Sequence, residues 1–177
     1  MKWIVLDRDG VINHDSPSYI KSAAEWLPIP GSLEAIARLT QAGWRVCLAT
    51  NQAGLGRKLF DYDAFAAMNA KMQKLLAERG GRIDAVAFAP EHPDHATDMR
   101  KPNPGMLKDL ARRLGTSCDN VWFVGDSETD IAAARAAGMQ PVLVLSGNGE
   151  QHRAAATAQG VASYATLSNV VDELLSK

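Results

Sequence analysis

The sequence predicts an α/β protein in three layers, a parallel central sheet with helices on both faces. Three observations carry this reading. Short apolar runs alternate along the chain with segments of helical periodicity. The runs are continuously apolar, as strands covered on both faces require. The 177 residues also suffice for one domain with a self-sufficient core, since a chain this long buries roughly 70% of the surface it exposes when unfolded.

The first strand is Trp3 to Leu6, and one helix and a loop follow it before the second, Trp44 to Ala49. Asp61 then N-caps a helix whose Phe65, Met68, Met72, Leu75 and Leu76 recur at three- and four-residue intervals until Gly80-Gly81 stops it. Ala85 to Phe88 is the third strand. Asn103-Pro104 reads as an N-cap with Pro in the first helical position, opening a helix to about Leu114. Val121 to Val124 is the fourth strand, and Ala-rich Thr129 to Ala137 the next helix, with Gly138 as its C-cap. Pro141 to Leu145, a weak strand at Val161 to Tyr164 and a helix over Leu167 to Leu175 complete the chain. No repeat, low-complexity tract or linker divides it, so residues 1–177 are expected to form a single domain. The methionines and aromatics at helical spacing, with Trp3 and Trp44, are core positions.

Composition excludes several function classes. Nineteen Lys+Arg against 20 Asp+Glu give a formal net charge of −1, without the cationic excess of a nucleic-acid binder. Apolar residues at 46% and charged ones at 22% exclude a disordered or collagen-like chain. Two cysteines, Cys47 and Cys118, make no disulfide framework and fit a reduced compartment. No apolar stretch approaches the roughly 20 residues a membrane helix needs. Met1 to Leu6 turns acidic at Asp7, too soon for a signal peptide. The expectation is a cytoplasmic protein, a monomer, with no nucleic-acid or membrane partner.

Three strand ends carry chemistry. Asp7-Arg8-Asp9-Gly10 puts two carboxylates where a parallel sheet delivers side chains to a crevice. Like charges there are costly unless a cation or a proton is shared, and Mg²⁺, which takes oxygen ligands, would answer that. The alternative is a solvated turn with two Asp; D-x-D-G arises by chance in roughly one such chain in thirty. Thr50-Asn51-Gln52-Ala53-Gly54 offers hydroxyl, amide and backbone donors to an oxyanion, or else simply N-caps a helix at Thr50 or Asn51. Gly125-Asp126-Ser127-Glu128-Thr129-Asp130 ends a strand in acid again; Asp126 suits a metal, while Asp130 in the first helical turn also complements the helix dipole. Arg100-Lys101-Pro102 presents two cations before a helix start, where a lone Lys-Pro would be a solvated loop. Together these supply nucleophile, acid/base, charge neutralisation and metal site, the parts phosphoryl transfer needs.

The strings D-R-D-G-V-I-N at 7–13, T-N-Q-A-G at 50–54, R-K-P-N-P-G-M at 100–106 and G-D-S-E-T-D at 125–130 resemble the haloacid-dehalogenase (HAD) superfamily of phosphatases. The closer likeness is to its D-glycero-D-manno-heptose-1,7-bisphosphate 7-phosphatase branch, beside the histidinol-phosphate phosphatases. The resemblance implies a Rossmann-like HAD fold with a minimal cap, and a Mg²⁺-dependent phosphatase of a sugar phosphate in carbohydrate metabolism, supplying lipopolysaccharide precursors. By position it implies that Asp7 is the nucleophile and Asp9 the acid/base. Asp7, the Asp9 carbonyl and Asp126 hold the metal, with Asp130 behind it. Thr50 and Lys101 hold the phosphoryl group, and Arg8, Asp15, Ser18, Asn51, Gln52, Ala53, Arg100 and Ser127 contact substrate.

Two departures from that branch matter. Its cysteine-rich zinc loop is replaced here by Ala89-Pro90-Glu91-His92-Pro93 and Thr97-Asp98-Met99, and His92 with His95 is too little for structural zinc, so none is expected. Ser127 stands where relatives carry lysine, which removes a cation from the site. Two other readings remain open: a phosphatase of histidinol phosphate or another small monoester, and a non-catalytic phospho-acceptor module of the receiver type. The receiver reading is disfavoured because a receiver's acceptor follows an interior strand, whereas Asp7 follows the first.

Overall fold

The computed structural model describes all residues, 1–177. Six strands, β1 (Trp3–Leu6), β2 (Arg45–Asn51), β3 (Ala85–Ala89), β4 (Trp122–Gly125), β5 (Gln140–Val144) and β6 (Ala162–Tyr164), form one sheet. The sheet is parallel throughout, in the order β3-β2-β1-β4-β5-β6. The helices are α1 (Ser32–Gln41), α2 (Ala53–Gly56), α3 (Tyr62–Ala77), α4 (Gly105–Leu114), α5 (Glu128–Ala137), α6 (Gly149–Ala158) and α7 (Leu167–Leu175), with a 3-10 turn at Pro93–His95.

Strand pleating sorts the core into two layers. Ile4 and Leu6 of β1 pack with Ile36 of α1, Met68 and Met72 of α3 and Val170 of α7. Trp3 and Val5 point the other way, to Leu107 and Leu110 of α4 and Ala133 of α5. Burial on both faces explains the continuously apolar strands. Crossovers run one way from β1 through β2 to β3 and the other way from β4 to β6. The sheet therefore switches direction between β1 and β4, which are paired through Val5–Phe123 and Leu6–Val124. A crevice opens beyond the carboxyl ends at such a point.

The structure corrects several local expectations. β2 runs on through Asn51, pairing Thr50 with Phe88 and Asn51 with Ala89. Neither residue is therefore a helix N-cap, and Gln52 takes that position for α2. Pro104, not Asn103, caps α4, because the Gly105 N–H turns back to the Asp98 carbonyl (2.9 Å). Helix α6 has no sequence signal: only Gly149 and Ala156 of it are buried, too few to mark a periodic face. β1 comes first in the chain yet sits inside the sheet. The strand that carries Asp7 thus does not separate this protein from a receiver module.

Candidate active site

Three acidic residues meet at the switch point. Asp7 leaves the end of β1, Asp126 the end of β4, and Asp130 the first turn of α5. One carboxylate oxygen from each lies within 4.8 Å of the others, and all three residues are buried. The single cation among them is Lys101, 3% exposed. Its Nζ lies 2.9 Å from Asp7 Oδ1 and 2.7 Å from Asp130 Oδ1, and donates to the Ala49 carbonyl at 3.0 Å. The Lys101 backbone is clamped by Asn51, whose Oδ1 accepts from Lys101 N–H and whose Nδ2 donates to Lys101 C=O, each at 3.0 Å.

The electrostatics follow from that packing. Burial raises the Asp7 carboxyl well above its ordinary range; Lys101 opposes the rise, while Asp130 and Asp126 add to it. Burial likewise pushes Asp126 up to about 6, against the Asn148 N–H that donates to it and with the nearby Asp130 charge. Burial disfavours the Lys101 ammonium, but Asp130 and Asp7 outweigh it and hold the amine above its usual value. Asp130 is fixed differently: its Oδ2 accepts from the backbone N–H groups of Asp126 and Ser127, both at 3.1 Å, and from the Ser127 hydroxyl at 2.7 Å. Ser127 and Asp130 close a capping box on α5.

Asp9 stands at the crevice edge in a ring of donors. Arg8 donates from Nε (3.1 Å) and Nη2 (3.0 Å) to its Oδ1 and from Nη2 to its Oδ2 (3.2 Å). Asn13 Nδ2 adds a bond at 2.8 Å and Gln52 Nε2 one at 3.0 Å.

A cavity of about 300 Å³ lies over these groups, lined by Asp7, Asp9, Asp15, Asn51, Gln52, Ala53, Arg100, Lys101, Asp126 and Ser127 among others. Ten of the expected residues thus line the cavity, and Asp130 joins them from behind through Lys101. Three others do not. Arg8 is 1% exposed and does not line the cavity. It continues the parity of Ile4 and Leu6 into the α3 layer, where its Nη1 lies 3.7 Å from Met68 Sδ and its guanidinium 5.8 Å from the Phe65 ring centroid. Ser18 is exposed and does not line the cavity, its N–H bonded to Ser16 Oγ. Thr50 is buried beneath the floor, its Oγ1 accepting from Gln52 Nε2 at 3.0 Å. Ser127 lines the cavity, but its hydroxyl is committed to the α5 cap.

Ser16, in the loop expected to contact substrate, lines the cavity too, while sequence reasoning missed Tyr19, Ile20, Pro93, Thr129 and Asn148. Asn148 donates its N–H to Asp126 Oδ2 (2.9 Å) and its Nδ2 to Asp15 Oδ2 (2.9 Å), tying three loops together. The Gly10 and Gly147 backbones press so close that a Cβ on either would overlap Asp126 Oδ2. At the outer edge, burial lowers the Arg100 guanidinium, partly offset by Glu91 and Tyr19, and its Nη1 has no hydrogen-bond partner. The loop over 89–99 is held by Glu91, which accepts from the Thr97 N–H and hydroxyl, and by His92 capping the 3-10 turn.

The residues fit a hard divalent cation. Asp7, Asp126 and Asp130 sum to −3 against one Lys101, leaving −2, with oxygen donors only. The two carboxyls with raised values, Asp7 and Asp126, carry the strain that such a cation would relieve.

The HAD-hydrolase-like family model matches residues 98–174. Over 172 residues the chain is 46% identical to the D-glycero-beta-D-manno-heptose-1,7-bisphosphate 7-phosphatase of Pseudomonas aeruginosa, covering 97% of each chain. It is 48% identical over 178 residues to the Bordetella bronchiseptica enzyme of that name, covering 100% of this chain and 99% of the other. The crystal structure of D,D-heptose 1,7-bisphosphate phosphatase from B. bronchiseptica, complexed with magnesium and phosphate, superposes with a TM-score of 0.96 at 48% identity, covering 99% of each chain. No helix is long and apolar enough to cross a membrane.

Proposed function

We propose, on the premise that this chain belongs to the heptose-1,7-bisphosphate 7-phosphatases of the HAD superfamily, that its substrate is D-glycero-D-manno-heptose 1,7-bisphosphate, cleaved at the 7-phosphate. The protein is a phosphoric monoester hydrolase that uses Mg²⁺. The carrying observation is the −2 cluster at the cavity floor, with Lys101 bridging Asp7 and Asp130.

In this reading Asp7 attacks phosphorus through the oxygen not paired to Lys101, forming an aspartyl-phosphate as the ester C–O–P bond breaks at phosphorus. Asp9 gives its proton to the leaving alcohol, then takes one from the water that returns Asp7 to a carboxylate and frees inorganic phosphate. A carboxylate approaching a phosphate ester meets repulsion of about 4 kcal/mol per charge pair at 4 Å and an effective dielectric of 20. Lys101 offsets part of it from a fixed position, so little reorganisation is needed at the moment of reaction. Mg²⁺, held by Asp7, Asp126 and the Asp9 carbonyl with Asp130 behind them, supplies the remaining charge neutralisation. Arg100, with Nη1 unpartnered at the cavity edge, suits a second phosphate better than a neutral group. Thr50 acts through Gln52 from beneath the floor. The working form is a cytoplasmic, single-domain monomer without zinc.

Phosphate release from both anomers of the heptose bisphosphate, histidinol phosphate and sugar monophosphates tests the assignment. The heptose bisphosphate should give the highest kcat/KM; a large preference for another ester overturns the substrate. Asp7→Asn should fall below about a thousandth of wild-type turnover with its fold intact. Robust turnover by that variant would sink the covalent mechanism.

A further inference from the structure

Arg8 is a buried cation without an evident need. It is 1% exposed, and its surroundings are the Met68 thioether, the Phe65 ring and the Asp9 carboxylate. An apolar side chain of similar length would fill that space, and the Asp9 left without its ion pair is partly reached by water, at 21% exposure. The guanidinium reaches upward only to Asp9, with both Nε and Nη2 engaged. A planar fork fixes a carboxylate's position and plane together, which a single ammonium cannot do.

Asp9 itself is more exposed than the carboxylates around Lys101, at 21% against 12% for Asp7 and 2% for Asp130. It lines the cavity, so one side of it faces that open space. Its orientation therefore depends on donors from below and beside: Arg8, Asn13 and Gln52. Of the three, Arg8 alone contacts both oxygens.

We propose that Arg8 is the positioning residue for proton transfer, holding the Asp9 carboxyl in the plane from which it reaches the leaving oxygen. This rests on the phosphatase reading, in which Asp9 protonates the departing alcohol. Arg8 touches no substrate; it acts through Asp9 alone.

Leaving-group dependence separates this from a structural role. A poor leaving group needs the proton, whereas nitrophenolate departs without it. Full-length Arg8→Met, Arg8→Gln and Arg8→Lys are measured on a series of phosphate monoesters running from alkyl to nitrophenyl. The readout is kcat/KM, which ends with alcohol release and excludes the later water attack. For alkyl esters Arg8→Met should lose on the order of a hundredfold, the lower end of what general acids contribute. For nitrophenyl phosphate it should lose less than about fivefold, an estimate for a step that leaves the acid idle. Arg8→Lys should recover only part of the alkyl-ester loss, and Arg8→Met should remain folded, since water reaches the Asp9 it leaves unpaired. Equal losses on every ester overturn the proposal, as does wild-type activity in Arg8→Met. Failure of all three variants to fold also overturns it, by assigning Arg8 to the fold. Absence of hydrolysis by the wild type overturns the phosphatase reading beneath it, an outcome distinct from the others.

Discussion

Replacing Asp126 by Asn should make the metal-free protein more stable and the metal-bound protein less so. Burial lifts the Asp126 carboxyl from 3.8 to about 6 in the fold. At 1.36 kcal/mol per pH unit, that displacement corresponds to roughly 3 kcal/mol against folding when the group is ionised. The sign follows from proton binding. Between pH 4 and 6 the folded protein holds a proton on Asp126 that the unfolded chain has lost, so stability falls as pH rises through that window. The cost is absent below about pH 4 and complete above about pH 6. An Asn amide oxygen keeps the bond from the Asn148 N–H (2.9 Å in the parent) and removes the charge.

In EDTA at pH 7.5, Asp126→Asn should therefore melt roughly 6–12 °C higher, given 2–4 °C per kcal/mol for a chain of this size. The gain should vanish near pH 4. With Mg²⁺ at a thousand times its dissociation constant the parent gains about 4.1 kcal/mol, more than the roughly 3 kcal/mol it lacks in EDTA. The variant should gain far less, so the order of melting temperatures reverses. Scanning calorimetry of both proteins from pH 4 to 8, in EDTA and in Mg²⁺, reads all of this. An Asp126→Asn melting point at or below the parent's in EDTA at pH 7.5 would refute the electrostatic account. So would equal Mg²⁺ shifts in the two proteins.

Lys101→Met should leave Asp7 and Asp130 unpaired at 2.9 and 2.7 Å from the lost Nζ. Breaking a buried pair costs about 3–5 kcal/mol, a fall of roughly 10 °C at pH 7.5 by calorimetry, with phosphatase activity lost; a fall under about 3 °C would mean that water already screens the pair. Gly147 sits at φ +60°, and a Cβ there would overlap both Gly10 Cα and Asp126 Oδ2. Gly147→Ala should lower the melting point several degrees and weaken the Mg²⁺ shift. Gly160→Ala, at φ +69° with open space around it, isolates the backbone strain of about 1 kcal/mol, and equal effects of the two would dismiss the overlap.

Much of the site was legible because each motif is local. Asp7 and Asp9 follow an apolar run, Asp126 follows another, and Lys101 precedes a helix start, so strand ends and helix mouths place them without tertiary knowledge. Arg8 was misread for a reason that alternation could have supplied. Residues 4, 6 and 8 share one side of β1 and its extension, and that side faces α3, not the crevice. Tyr19 and Asn148 gave no signal because they sit in loops whose spatial meeting depends on how the sheet is ordered. Helix α6 was invisible because its buried face is only a glycine and an alanine.

The sequence by itself determined the layers, the parallel sheet and the residue types at the strand ends, since these follow from periodicity, burial and helix punctuation within short windows. Only the tertiary structure decided what those residues are to one another. The strand order put β1 beside β4, and so brought Asp7 to Asp126 across 119 positions of chain. It turned Lys101 inward as the one cation for three carboxylates, and set Arg8 beneath Asp9. Charge pairing depends on distance in space, and that distance is fixed only when the sheet closes around its switch point.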